Sequence, residues 1–120
     1  MEEIYKALRW SFDQLEREET ITPGRGLAAA KQLKGHLSKV SLSPWNTRYR
    51  KIRINDPVFM QNVYCTGAKG VLLALGFEEH NGYFECGASE GKMLTQDRIS
   101  MMSDVTAMLS IFLRTMEKHN

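Results

Sequence analysis

The sequence predicts an α+β fold, mainly helical, with a small antiparallel sheet and a long C-terminal helix. Three observations carry this. Apolar residues return every three to four positions between residues 4 and 40, and again from residue 99 onward. Asn81-Gly82, the preferred pair for a two-residue type I′ turn, stands between two short strand-like runs. Asp56-Pro57 is a helix-start pair, an N-cap side chain followed by proline at the first helical position.

Residues 3–19 read as an amphipathic helix with Ile4, Ala7, Leu8, Ser11, Phe12 and Leu15 on one face. Glu16, Glu18 and Glu19 crowd its end, where the helix dipole disfavours them, so the helix is expected to stop or fray there. Thr22-Pro23-Gly24 then breaks the pattern. A second helix is expected from about Arg25 to Val40, with Leu27, Ala30, Leu33, Leu37 and Val40 as its stripe. Gly35 weakens it by roughly 1 kcal/mol relative to alanine. Pro44 lies past its end and biases Ser43 toward extended geometry.

Tyr49 to Ile54 is a strand candidate. Arg50, Ile52 and Ile54 share one face; Tyr49, Lys51 and Arg53 share the other. Such alternation puts one face in a core and the other toward water or a ligand. A short helix from Pro57 to Tyr64 would bury Phe59 and Val63. Thr66 can cap another from Gly67 to Leu75, ended by Gly76, with Val71, Leu72 and Leu75 in the core. Phe77 to Cys86 reads as a hairpin, and Gly87 to Lys92 as a glycine-rich loop. Thr95 caps a last helix reaching about Lys118. Its apolar face is Ile99, Met101, Met102, Val105, Met108, Leu109, Phe112 and Met116. Core packing is the plain reading of that methionine-rich face; an adaptable binding groove is the sharper one.

The 120 residues fit one domain spanning 1–120, with no internal repeat and no low-complexity linker. Hydrophobic residues make up 42% and charged residues 25%, ordinary values for a globular chain. No apolar run approaches the roughly 18 residues a membrane span requires. The acidic start, MEEIYKALRW, lacks a signal-peptide pattern, so a cytoplasmic or nuclear location is expected. Arg48, Arg50, Lys51 and Arg53 make a local basic patch within a formal net charge of only +2. That suggests an anionic partner rather than general nucleic-acid binding.

Catalysis finds no support in these residues. Cys65 and Cys86 stand far apart without a CxxC pair, and a cysteine–histidine site with His80 has no supporting motif. Cys86 should face Phe77 across the hairpin. His36, His80 and His119 fall at no metal-ligand spacing, so no metal and no cofactor is expected. GASEGK shares only a glycine–lysine step with a phosphate loop. Glu78 and Glu79 adjoin on a strand, so they point to opposite faces and cannot act as an acid–base pair.

The run Arg48-Tyr49-Arg50-Lys51-Ile52-Arg53-Ile54-Asn55, followed by Pro57-Val58-Phe59, resembles the signature of the PUB (or PUG) domain. That signature is a basic–Tyr–Arg–x–Ile/Val–basic run, then an Asn-containing turn and a helix with a phenylalanine. Gly67–Leu75 followed by Gly76-Phe77-Glu78-Glu79 is similar to the family's helix ending in a Gly-Phe step before a glutamate. The order of elements also matches. The resemblance covers a core of about residues 25–117, leaving 1–22 as an N-terminal helix.

PUB domains occur in peptide:N-glycanase, in UBX-containing adaptors and in the catalytic subunit of the linear-ubiquitin ligase complex. The resemblance implies a monomeric, non-catalytic adaptor, a possible module of a larger enzyme. Its implied partner is the acidic, aromatic-bearing C-terminal tail of the hexameric ATPase valosin-containing protein, or a similar tyrosine-bearing peptide. That would link the ATPase to ubiquitin–proteasome or glycoprotein-degradation factors, including endoplasmic-reticulum-associated degradation. The implied pocket lies between the first strand, the turn after it and the preceding helix.

Position by position, Tyr49 matches the pocket tyrosine, whose ring can pack on a leucine or tyrosine of the peptide. Arg48 matches a basic position that can pair with an acidic residue or the tail carboxylate. Asn55 and Asp56 occupy the polar turn, with Asp56 where the family usually has Asn. Val58 is an apolar wall, and Lys39 stands where the glycanase version has a peptide-contacting Asn. A second class of function is a nucleic-acid-binding module that uses Lys39, Arg48, Arg50, Lys51 and Arg53. The small net charge and the lack of stacked aromatics on the basic strand count against it.

Overall fold

The structure, a computed structural model, describes residues 2–86 and 94–118. Its elements run α1 (Glu2–Ile21), α2 (Arg25–Leu42), β1 (Lys51–Arg53), α3 (Pro57–Phe59), α4 (Ala68–Ala74), β2 (Phe77–His80), β3 (Tyr83–Cys86) and α5 (Gln96–Lys118). The fold is α+β and mainly helical, with three antiparallel strands in the order β1-β3-β2 and a long C-terminal helix, as the sequence predicts. The expected glycine-rich loop at 87–92 lies outside the described residues. No helix among the described residues is long and apolar enough to cross a membrane.

Helix α1 runs two residues past its expected end, and its acidic tail is the reason. Glu19 is only 7% exposed. Its Oε2 accepts the backbone N–H of Gly24 and its Oε1 that of Leu27, both at 2.8 Å. Those are first-turn donors of α2, which otherwise has no side-chain cap. Glu18 Oε1 likewise accepts the N–H of Gly67, at the start of α4, at 2.8 Å. Two of the three carboxylates that should fray α1 are thus held by the positive ends of the next helices. Leu8 and Leu15 anchor the inner face of α1, whereas Ala7, expected there, is exposed.

The stripe of α2 is buried at Ala30, Leu33, Leu37 and Val40 and packs on α5. Helix α5 buries Met102, Val105, Leu109 and Leu113. Leu113 replaces Met108 of the expected face, which is 38% exposed. Over 23 residues only one narrow stripe meets α2, and Met108 falls beside it. Thr95 Oγ1 accepts the N–H of Arg98 at 3.2 Å and so caps this helix.

The first strand is shorter than expected. Tyr49 and Arg50 donate their N–H groups back to Asn46 and Thr47, which makes them turn residues, and the ladder starts at Lys51. The alternation nonetheless holds from 49 to 54: Arg50, Ile52 and Ile54 are buried while Tyr49, Lys51 and Arg53 are exposed. Strand β3 is central, pairing Ile52 with Phe84 on one side and Phe77 with Cys86 on the other. Asn81 and Gly82 have φ of 51° and 83°, the left-handed pair that a type I′ turn needs.

Asp56 caps α3 as expected, but the helix changes pitch after Phe59. Residues Met60–Tyr64 form a π-helical turn in which Cys65 N–H bonds Met60 C=O at 3.1 Å. Phe59 and Val63 are buried by it. Thr66 Oγ1 accepts from Ala68 N–H at 3.2 Å, and α4 stops at Ala74, two residues before Gly76, whose φ is 93°.

Candidate functional site

Three separate pieces of chain meet at one open groove of about 270 Å³: α2, the loop leading into β1, and the start of α3. Its floor is apolar. Ile52, turned inward by the strand alternation, and Phe59, buried by its helix, close it from below. Its walls are cationic. Lys39 stands on α2, Arg48 on the loop, and Lys51 and Arg53 on the outward face of β1. Asp56 is the one carboxylate among the described lining residues. Tyr49 completes the wall, 39% exposed.

Three of the wall residues are positioned by contacts of their own. Asn46 Oδ1 accepts the N–H of Arg48 at 3.1 Å, an Asx turn that fixes the loop before Tyr49. Lys51 Nζ lies 4.4 Å above the Tyr83 ring, so that cation is drawn toward the central strand. Asp56 Oδ1 accepts from Val58 and Phe59, at 3.0 and 3.1 Å, and spends that oxygen on the helix start. Arg50, the fourth cation of the basic run, is only 4% exposed and belongs to the interior. The run therefore gives a groove wall rather than a continuous basic surface.

Of the residues expected from sequence, the structure brings Lys39, Arg48, Tyr49 and Asp56 to this groove. Asn55 lies in the adjoining depression of about 290 Å³ with Arg53, Asn81 and Tyr83. Val58 is not among the lining residues and stands 56% exposed. Arg53 lines both depressions and so connects them.

Two lining residues were not expected at a binding site, Gln32 and His36, the latter weighed only as a metal ligand. Helical spacing could have found both: 32, 36 and 39 follow one another at four and three residues, on one face of α2. Gln32 is held by Asn62, whose Nδ2 donates to Oε1 at 3.2 Å. The His36 ring is half-buried and stands edge-on to Phe59, with 5.7 Å between centroids and 82° between planes. Burial pushes its pKa below the ordinary 6.5; Lys39 lowers it further, and Asp56 acts the other way.

Chemically, the groove can hold an apolar side chain on Ile52 and Phe59 and surround it with donors. Its described lining residues include no nucleophile beside a base. Cys65 is exposed just after the π-helical turn and Cys86 is a buried residue of β3. Glu78 and Glu79 are engaged separately, with His80 at 3.1 Å and with the Tyr64 hydroxyl at 3.1 Å. No protein-family model matches the chain, and no curated protein matches it.

Proposed function

We propose that the chain is a PUB-type domain, a non-catalytic adaptor that holds the C-terminal tail of valosin-containing protein or a similar tyrosine-bearing acidic peptide. In that role it links the ATPase to ubiquitin–proteasome or glycoprotein-degradation factors. The observation that carries this reading is the groove: Lys39, Arg48, Tyr49 and Asp56, expected from the family resemblance, line one concavity with an apolar floor. An extended segment would set an apolar or aromatic anchor on Ile52 and Phe59, with the Tyr49 ring alongside. Its acidic flank would meet Lys39, Arg48 and Arg53, with Arg48 able to grip a carboxylate with two parallel hydrogen bonds. Few residues are engaged, so affinity should be on the order of micromolar.

The test is a calorimetric titration of the chain with the ATPase tail peptide. Tyr49→Ala should weaken binding strongly, and unchanged affinity would rule out this groove. A phosphate on the peptide tyrosine should also weaken binding. It brings about two negative charges and added bulk onto an apolar floor.

A further inference from the structure

Among the described residues, one buried polar atom of the groove lining lacks a partner. His36 Nε2 is screened from water and has no hydrogen-bond partner. A buried nitrogen without a partner is costly, and in a native fold such an atom calls for an explanation. Here the atom belongs to a residue lining a concavity, midway along the face that carries Gln32 and Lys39. We infer that His36 is a ligand-contacting residue of this groove, whose imidazole takes up a proton and donates a hydrogen bond to a carboxylate of the bound peptide.

The charges around the ring argue for this division of states. From its own helix it faces Lys39 and the neutral Gln32. From the loop and β1 the groove presents Arg48, Tyr49, Lys51 and Arg53. From the start of α3 it presents Asp56 and the apolar Phe59. In the empty groove an imidazolium would therefore meet an excess of cations and a half-buried site, and burial and Lys39 both favour the neutral ring. A peptide carboxylate reverses both effects. It supplies the missing acceptor and offsets the field of Lys39. Nε2 is covered in the empty groove, but the second torsion of a histidine is broad and soft, so the ring can turn to present it at small cost. The proton comes from the buffer acid through solvent: one N–H bond forms on the ring as the bond to that proton in the acid breaks, and no other covalent bond changes.

This inference rests on the peptide-binding reading above, and the experiment separates the two. The ring resonances of His36 are followed by NMR against pH, with and without saturating tail peptide, and assigned with His36→Gln. Calorimetry near neutral pH in two buffers of different ionisation enthalpy then counts protons taken up on binding. The expected result is a His36 pKa that rises on binding, net proton uptake, and affinity that grows as pH falls toward about 6. Each unit of pKa rise should give a limiting gain in affinity of about tenfold. His36→Gln should bind with no proton uptake. Lys39→Gln should raise the His36 pKa of the free protein and reduce the uptake. His80, paired with Glu78 on the hairpin, stays in every variant and serves as the internal reference. Binding of the peptide with an unchanged His36 pKa, or uptake that persists in His36→Gln, overturns this inference alone. No binding at any pH overturns the peptide-binding reading and this inference with it.

Discussion

Asp56 and Phe59 are joined by a hydrogen bond of 3.1 Å, from the Phe59 backbone N–H to Asp56 Oδ1. A carboxylate on the groove wall therefore starts the helix that supplies the groove floor. The two roles can be separated. Asp56→Ala should cost about 1 kcal/mol of stability in urea denaturation, the usual loss for an N-cap. Asp56→Asn keeps a capping oxygen and removes a negative charge, so it should leave stability nearly unchanged and tighten an acidic peptide. Equal affinity of Asp56→Asn and the parent would show that this charge does not face the ligand.

Glu19 should be among the costly carboxylates to lose. Glu19→Ala removes the acceptor of both Gly24 and Leu27 N–H groups at a buried site. The expected loss is about 1–3 kcal/mol. Glu16→Ala, on the exposed side of the same turn, should change stability by less than about 0.5 kcal/mol. Thermal denaturation of the two variants side by side measures the contrast.

Two glycines should respond to alanine in opposite directions. At Gly76 a Cβ would overlap the Arg98 guanidinium, and the backbone φ of 93° is strained for any L side chain. Arg98 Nη1 donates to Leu75 C=O at 2.9 Å and closes the end of α4, so that contact would be lost as well. Gly76→Ala should destabilise by about 2 kcal/mol or more. At Gly35 nothing lies within 4 Å of an added Cβ, and Gly35→Ala should stabilise α2 by roughly 1 kcal/mol.

Acid should weaken the fold partly through His36. The unfolded chain binds a proton near the ordinary value of 6.5, which the folded chain refuses until lower pH. The contribution of the neutral ring is thus full above 6.5. It is lost as pH falls from there through the folded pKa, and levels off below it. Urea denaturation at about pH 7.5 and 5.5 should show a smaller acid loss for His36→Gln than for the parent. An equal loss would assign the acid sensitivity to carboxylates alone.

Much of the fold was legible because its signals are local. Helical spacing gave α2 its stripe, Asn81-Gly82 gave the hairpin, and Asp56-Pro57 gave the start of α3. What escaped depends on distant chain. The length of α1 turns on where Glu19 finds donors, and those belong to α2. The π-helical turn at Met60–Tyr64 leaves no periodic signature in five residues. The candidate site divided in the same way. Tyr49, Arg48, Asp56 and Lys39 came from a motif and a family pattern and lie in one groove. Gln32 and His36 belong to no such motif; their spacing from Lys39 was the one signal, and the packing of α2 on Phe59 and the π-helical turn sets them in the groove.

The carboxylates of α1 bear on where this chain can be cut. Glu18 and Glu19 reach from α1 to the first turns of two other helices, and Leu8 and Leu15 fill the interior between them. A fragment beginning at residue 25, as the motif-bearing core alone would suggest, would lose those acceptors and expose an apolar wall. Amide protons of α1 should therefore exchange with solvent on the same slow schedule as those of α2, as one cooperative unit rather than a fraying appendage.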